Sequence, residues 1–277
     1  MKKMLPIVAS ILLVGSLITG CGSTAPATQP AGNGSSSASA PVSPDLKAIK
    51  DRGVLKVGVK EDVPKFGYKD PKTGQIDGFE VDLARAMAKK ILGDPAKLQL
   101  TTVNAKTRGP ALDSNDVDMD ISTFTITEER KKSYNFSDPY FTDGVGLLVK
   151  KSANYKSLKD LNNKKIGVAQ SATSKAAVQT EADKLGTKVT FQEFATYPEI
   201  KAALDSGRVD AFSVDRSILM GYVDDSTVLL PDKFSPQDYG IASKKGNDGL
   251  AKLINDTVNE MKKSGDIDKL IQKWGLN

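Results

Sequence analysis

Histidine is absent from the 277-residue chain. Its absence removes the commonest general base, the commonest metal ligand and any Ser-His-Asp triad. Cysteine occurs once, at Cys21, so neither an intrachain disulfide nor a cysteine-rich zinc site can form. The chain also lacks a strong charge bias: 39 Lys and Arg stand against 34 Asp and Glu, a formal +5. Lys2 and Lys3 belong to an N-terminal leader, and without them the count is 37 against 34, or +3. The two signs are interspersed, which is not the footprint of a nucleic-acid partner. No cofactor and no metal site are expected. With 26% charged and 39% hydrophobic residues, the composition suits one large globular domain or two small ones.

The start of the chain carries a targeting pattern. Lys2 and Lys3 precede the apolar run Met4 to Ile18, which is short for a membrane span. The run ends in Leu17-Ile18-Thr19-Gly20-Cys21, which resembles the bacterial lipobox. That resemblance implies a signal peptide over 1–20, cleavage before Cys21 and acylation of its thiol. The alternative is an unmodified cysteine at the end of an uncleaved anchor. Both place the body of the protein outside the cytoplasmic membrane, and acyl chains would anchor it stably. Residues 21–44 are almost wholly Gly, Ser, Ala, Thr and Pro, and Asp45 is the first charge after Lys3, so this stretch reads as a flexible tether.

From Asp45 onward, strand and helix signals alternate. Leu46–Asp51 reads as a helix, Val54–Val59 as a buried strand, and Asp70-Pro71-Lys72-Thr73-Gly74 as a hairpin turn. Phe79–Ile91 is amphipathic. Leu98–Val103, Val117–Ile121 and Val145–Val149 read as strands, with a helix at Pro110–Asp113. The rhythm starts again at Lys165–Ala169 and runs through Thr173–Leu185, Val189–Phe191, Pro198–Leu204 and Val209–Val214. Two such runs predict two α/β lobes with parallel sheets covered on both faces, and ligands at the carboxyl ends of the strands.

The polar residues that follow those strands are the candidates for chemistry. After Ile121 comes a loop with hydroxyls at 122, 123, 125 and 127. It enters a helix at Thr127-Glu128-Glu129 and carries Arg130 in the first turn, where the helix dipole disfavours a cation. Arg130 is either a solvated residue beside two glutamates or the holder of an anion. Arg108 precedes Gly109-Pro110, with proline expected at the first helical position. Lys60 follows a strand and reads as a solvated lysine or a cleft cation. Thr173 and Asp215 sit at helix starts, where plain capping competes with a ligand role. Taken as a set they are more informative. Arg130, Thr125 and the amides of Ala172 and Thr173 can clamp a carboxylate, and Asp215 can hold an ammonium. Those are the two ends of an α-amino acid, and Lys60 with Arg108 add positive charge for its side chain.

Gly78-Phe79-Glu80-Val81-Asp82-Leu83-Ala84-Arg85-Ala86-Met87-Ala88 resembles the signature of family 3 of the bacterial extracellular solute-binding proteins, the polar amino-acid receptors of ABC importers. Thr125–Lys131, Tyr134–Tyr140, Val209–Phe212 and Lys273-Trp274-Gly275 resemble further landmarks, so the likeness runs from about 45 to 277. It implies a type II periplasmic-binding-protein-like fold with two hinge strands. Lobe 1 would take 45–143 plus 235–277, and lobe 2 would take 144–234. It assigns Arg130 and Thr125, helped by Thr173, to the α-carboxylate, and Asp215 with the Thr123 backbone to the ammonium. Gly58-Val59-Lys60, Phe66–Pro71 and Asn104–Pro110 look most like the glutamate/aspartate-binding branch, in which Thr123 and Tyr197 also reach the side-chain carboxylate.

The expectation is a monomeric, lipid-anchored receptor for acidic L-amino acids that serves an ABC permease with its ATPase. Glutamine or broad polar amino-acid binding is the alternative. The same fold resembles that of cyclohexadienyl dehydratases, but nothing in the chain marks a catalytic acid or base, so no enzyme is expected.

Overall fold

The structure, a computed structural model, describes residues 43–276. The leader, Cys21 and nearly all of the expected tether lie outside the described residues. The first elements are α1 (Pro44–Arg52), β1 (Leu55–Val59), the short strands β2 (Asp62–Val63), β3 (Gly67–Lys69) and β4 (Ile76–Asp77), then α2 (Phe79–Leu92) and β5 (Leu98–Thr102). There follow α3 (Arg108–Asp113), β6 (Met119–Asp120), α4 (Glu128–Ser133), β7 (Tyr134–Phe136) and β8 (Phe141–Lys150). Next come β9 (Lys164–Ala169), α5 (Ser174–Lys184), β10 (Val189–Phe194), α6 (Tyr197–Asp205), β11 (Ala211–Asp215) and α7 (Arg216–Met220). The chain continues through β12 (Thr227–Leu229), β13 (Phe234–Tyr239) and β14 (Ala242–Lys244), with α8 (Asp248–Lys263) and α9 (Asp266–Trp274) near its end.

Two mixed sheets form the centres of two α/β lobes. The first has strand order β5-β1-β6-β14-β7, the second β10-β9-β11-β8-β12 with β13 paired to β8. β1 runs parallel to β5 and β6, and β9 runs parallel to β10 and β11, as the alternation predicted. The expectation of wholly parallel sheets fails at β14 and β8, which enter antiparallel. Neither is fed by a crossover helix within its own sheet, so the direction rule for βαβ units does not bind them. β8 and β13 pair antiparallel over Phe141–Val145 and Phe234–Tyr239 and carry the chain between the sheets.

Burial explains why the other elements were legible. α2 turns Phe79, Leu83, Met87 and Ile91 into the core over β1. On β8, Val145, Leu147 and Val149 face one core cluster and Leu148 the other, so the strand is covered on both sides. α1 packs on α8, and the Asp45 carboxylate accepts from the amide of Leu250 at 2.7 Å. Of the boundaries that moved, two bear on the site. β8 is ten residues long because its polar first half pairs with β13. α3 begins at Arg108, which puts Pro110 third rather than first.

Candidate functional site

The loops that leave β1, β5, β6, β9, β10 and β11 carry all of the singled-out residues in the described part. The α2 junction builds the floor. At Gly78, φ is +151°, and a Cβ there would lie 2.0 Å from the Phe66 carbonyl oxygen, so only glycine lets the chain turn into the helix. That turn aims Glu80 inward. Its Oε1 accepts from the Thr123 amide at 2.6 Å and from the Tyr140 hydroxyl at 2.5 Å. Asp120, on β6, accepts from the Ser122 hydroxyl at 2.6 Å. Both acids are wholly buried, and desolvation raises Glu80 to about 7 and Asp120 to about 6.

Two cations share this floor. Lys60 is 1% exposed; its Nζ lies 4.9 Å from the centroid of the Tyr197 ring, and burial, then the nearby Arg108, lower it to about 8. Arg108 is 3% exposed and stacks on Phe124 at 3.9 Å. Its Nη1 donates to the carbonyls of Ser122 and Thr123 at 2.8 and 3.1 Å. Arg108 therefore braces the loop after β6 itself. Thr123 is caught between Glu80 on its amide and Arg108 on its carbonyl, which holds it at φ 52°. A β-branched residue resists that left-handed conformation, and such strain persists where the surroundings over-determine it. Its hydroxyl is turned back onto the Ser122 carbonyl at 2.7 Å.

Arg130 stands above this floor. Thr127 caps α4 as expected, its Oγ1 accepting from the Arg130 amide at 3.1 Å. The guanidinium donates to the Thr125 carbonyl at 2.7 Å and, across the gap between the sheets, to the Ser171 carbonyl at 2.9 Å. It lies 4.9 Å from the Phe124 centroid, on the ring that also supports Arg108. Burial, then repulsion from Arg108, lower it to about 9, and Asp215 pulls the other way. Neither capping nor a surface glutamate accounts for this arginine.

The second lobe meets it with fewer charges. Ser171, at φ 61°, turns the chain into α5. Neither Thr173 nor Asp215 caps its helix by side chain, so the bland reading of both residues fails. The Thr173 hydroxyl goes instead to Gln237 at 2.6 Å. Asp215 accepts from the Tyr239 hydroxyl at 2.5 Å, and burial raises it to about 7. One expected donor is spent: the Ala172 amide is bonded to the Ala169 carbonyl at 3.3 Å. The cleft is shut. Tyr222 Oη donates to the Asp62 carbonyl at 2.5 Å, the Tyr197 amide donates to Asp62 Oδ2 at 3.3 Å, and a Cβ on Gly221 would meet the Pro64 ring at 2.8 Å. A groove of about 670 Å³ between Asp62, Tyr68, Asn104, Thr107, Pro198 and Tyr222 runs along this contact. Among the described residues, no cluster of three metal-ligating side chains occurs.

Sequence reasoning missed Glu80, Asp120, Tyr140, Gln237 and Tyr239. Asp120 left a trace as an acid inside an apolar strand, and Glu80 was disguised as a first-turn acid obeying the helix dipole.

Residues 55–277 match the bacterial extracellular solute-binding proteins, family 3. The chain belongs to that family. It is an extracytoplasmic solute-binding protein, not an enzyme, and its fold is the two-lobed type II periplasmic-binding fold. The ABC transporter glutamine-binding protein of Bacillus subtilis (strain 168) is 39% identical over 99% of this chain and 97% of its own. The glutamine-binding protein of Geobacillus stearothermophilus is 39% identical over 89% and 94%. A solved structure, an ancestral arginine-binding protein bound to glutamine, superposes with a TM-score of 0.72 at 42% identity, covering 80% of this chain and 98% of the other. The expected leaning towards the glutamate/aspartate branch is not supported. Proteins with that description from Pseudomonas aeruginosa and Salmonella typhimurium are 30% and 29% identical.

Proposed function

We propose that the protein is the receptor of an ABC importer for a polar L-amino acid whose side chain ends in an oxygen acceptor, with glutamine the first choice. The observation that carries it is Arg130. This guanidinium is oriented by a carbonyl from each lobe and faces a buried acid, Asp215, whose field it feels. A carboxylate on Arg130 and an ammonium on Asp215 and the Thr123 carbonyl are the two ends of an α-amino acid. Thr125 and Thr173 line the same end.

Glutamine comes first because the floor is more balanced than the sequence suggested. Lys60 and Arg108 were expected to demand a ligand carboxylate, yet Glu80 and Asp120 are buried beside them and offset part of their charge. The glutamine-binding relatives support the same order. The second reading, glutamate or aspartate, is favoured by Lys60, whose ammonium finds no carboxylate at salt-bridge distance among the described residues. An acidic side chain beside Lys60 would restore its ordinary basicity, and Thr123 and Tyr197 would then line that end of the ligand. Calorimetry on ligand-stripped protein with the proteinogenic amino acids decides the order. Absence of binding by any of them overturns the function, and glutamate bound more tightly than glutamine selects the second reading.

The lobes are proposed to divide at 143/144 and 234/235, inside β8 and β13, with closure as a population shift on ligand binding. A monomer is proposed, held to the membrane by acylated Cys21. Release of a Cys21→Ala protein from the membrane fraction is the expected outcome, and retention rejects the anchor.

A further inference from the structure

Gln237 is 2% exposed, lies on β13, and touches both lobes. Its Oε1 is 2.9 Å from Thr125 Oγ1 in the first lobe and 2.6 Å from Thr173 Oγ1 in the second. Its Nε2 is 2.9 Å from the Ser235 carbonyl and 3.3 Å from the Ser235 hydroxyl. Ser235 has φ 52°, and the β8–β13 register shifts between Phe234 and Pro236, so this residue is the irregular point of a crossing strand.

The amide has only one sensible orientation. A backbone carbonyl can only accept, so the NH2 group must face Ser235. The oxygen then faces both threonines, and each hydroxyl must donate its single proton to it. We propose that Gln237 is an interlobe positioning residue that ties the Thr125 and Thr173 hydroxyls together on closure and couples them to the bend at Ser235. It rests on the amino-acid-binding reading for its effect on affinity, but not for its effect on shape.

Two consequences follow. With their protons committed to Gln237, both threonines present lone pairs to the cleft, which suits an ammonium and not a carboxylate. The carboxylate is then left to Arg130 and to amides at the start of α5. The clasp also forms only when the lobes approach, because its two donors come from opposite sides. It therefore adds to the closed state over and above any contact that the two threonines make with the ligand.

The test is a double-mutant cycle on the full chain. Gln237→Met keeps the shape and removes the acceptor; Thr173→Val removes one donor. Gln237→Met is expected to weaken the best-bound amino acid roughly tenfold, as loss of two buried hydrogen bonds would. Thr173→Val should then cost little more in the Met background, yet still cost severalfold beside Gln237→Glu, which keeps an acceptor. Losses that simply multiply in the Met background would overturn the clasp, because a residue that only supports the fold is blind to Thr173. Small-angle scattering of ligand-free protein gives an independent readout: Gln237→Met should expand relative to the natural protein. An unchanged radius of gyration rejects the proposal even if no amino acid binds, whereas expansion without binding retains the clasp and removes the proposed function. Where Gln237→Met fails to fold, Thr173→Val supplies the same scattering comparison.

Discussion

The two walls of the cleft are built differently. The first lobe packs Lys60, Glu80, Arg108 and Asp120 beneath Arg130, so its loop is fixed by buried charges on backbone atoms. The second lobe offers one buried acid, Asp215, beside a hydroxyl and a helix start. Burying many charges in one wall is costly unless they brace one another, and here they do so by holding Thr123. The first wall is thus a rigid template, whereas the second is a lightly charged cover that can approach it without stripping many ions of water.

The sharpest way to break this contrast is Arg130→Ala. It should weaken every bound amino acid by roughly a hundredfold or more, since a charge-assisted, geometrically matched contact is removed. Calorimetry reads this directly, and a loss confined to one ligand would refute the shared-end role. Asp215→Asn should cost somewhat less and alter the pH profile. A ligand ammonium favours ionised Asp215, whose carboxyl is raised to about 7, so the affinity of the natural protein should fall as pH drops below that value. The Asn variant should be nearly flat over the same range.

A finer comparison separates the two cations of the floor. Lys60→Met should shift the preference from glutamate towards glutamine by about tenfold, whereas Arg108→Met should weaken both alike because it releases the Ser122 and Thr123 carbonyls. A selective loss of acidic ligands in Arg108→Met would restore the role expected from sequence. The remaining effect is on stability and not on binding. Glu80 and Asp215 sit near 7 in the folded protein and near 4 when unfolded, so between these values the folded state holds more protons. Ligand-free protein should therefore become more stable as pH falls from 7.5 to 5.5, and Asp120, raised to about 6, adds to the same direction. Denaturant titrations at the two values check the sign.

Most of the architecture was legible because burial writes itself into apolar runs: α2, β1 and β9 appear in the sequence nearly as they fold. Hinge strand β13 was not, since Ser235-Pro236-Gln237-Asp238 is polar and carries a proline, and only its pairing with β8 makes it a strand. At the site, the loop after β6 could be found from Arg130, a cation placed against its own helix. The partners that set the charge balance were hidden. Glu80 and Asp120 look like surface acids in one dimension, and only the sheet brings them beneath Lys60 and Arg108. The acidic-ligand expectation rested on the resemblance to one branch of the family and on counting the cations without those acids.

The docking of α1 onto α8 has a mechanical consequence. Both ends of the described chain lie in the first lobe, and the second is a loop thrown out between β8 and β13. A pull applied through residue 43 is borne by α1 and its Asp45–Leu250 bond, and passes into the first lobe alone. If the proposed tether pulls there, the second lobe carries none of that load.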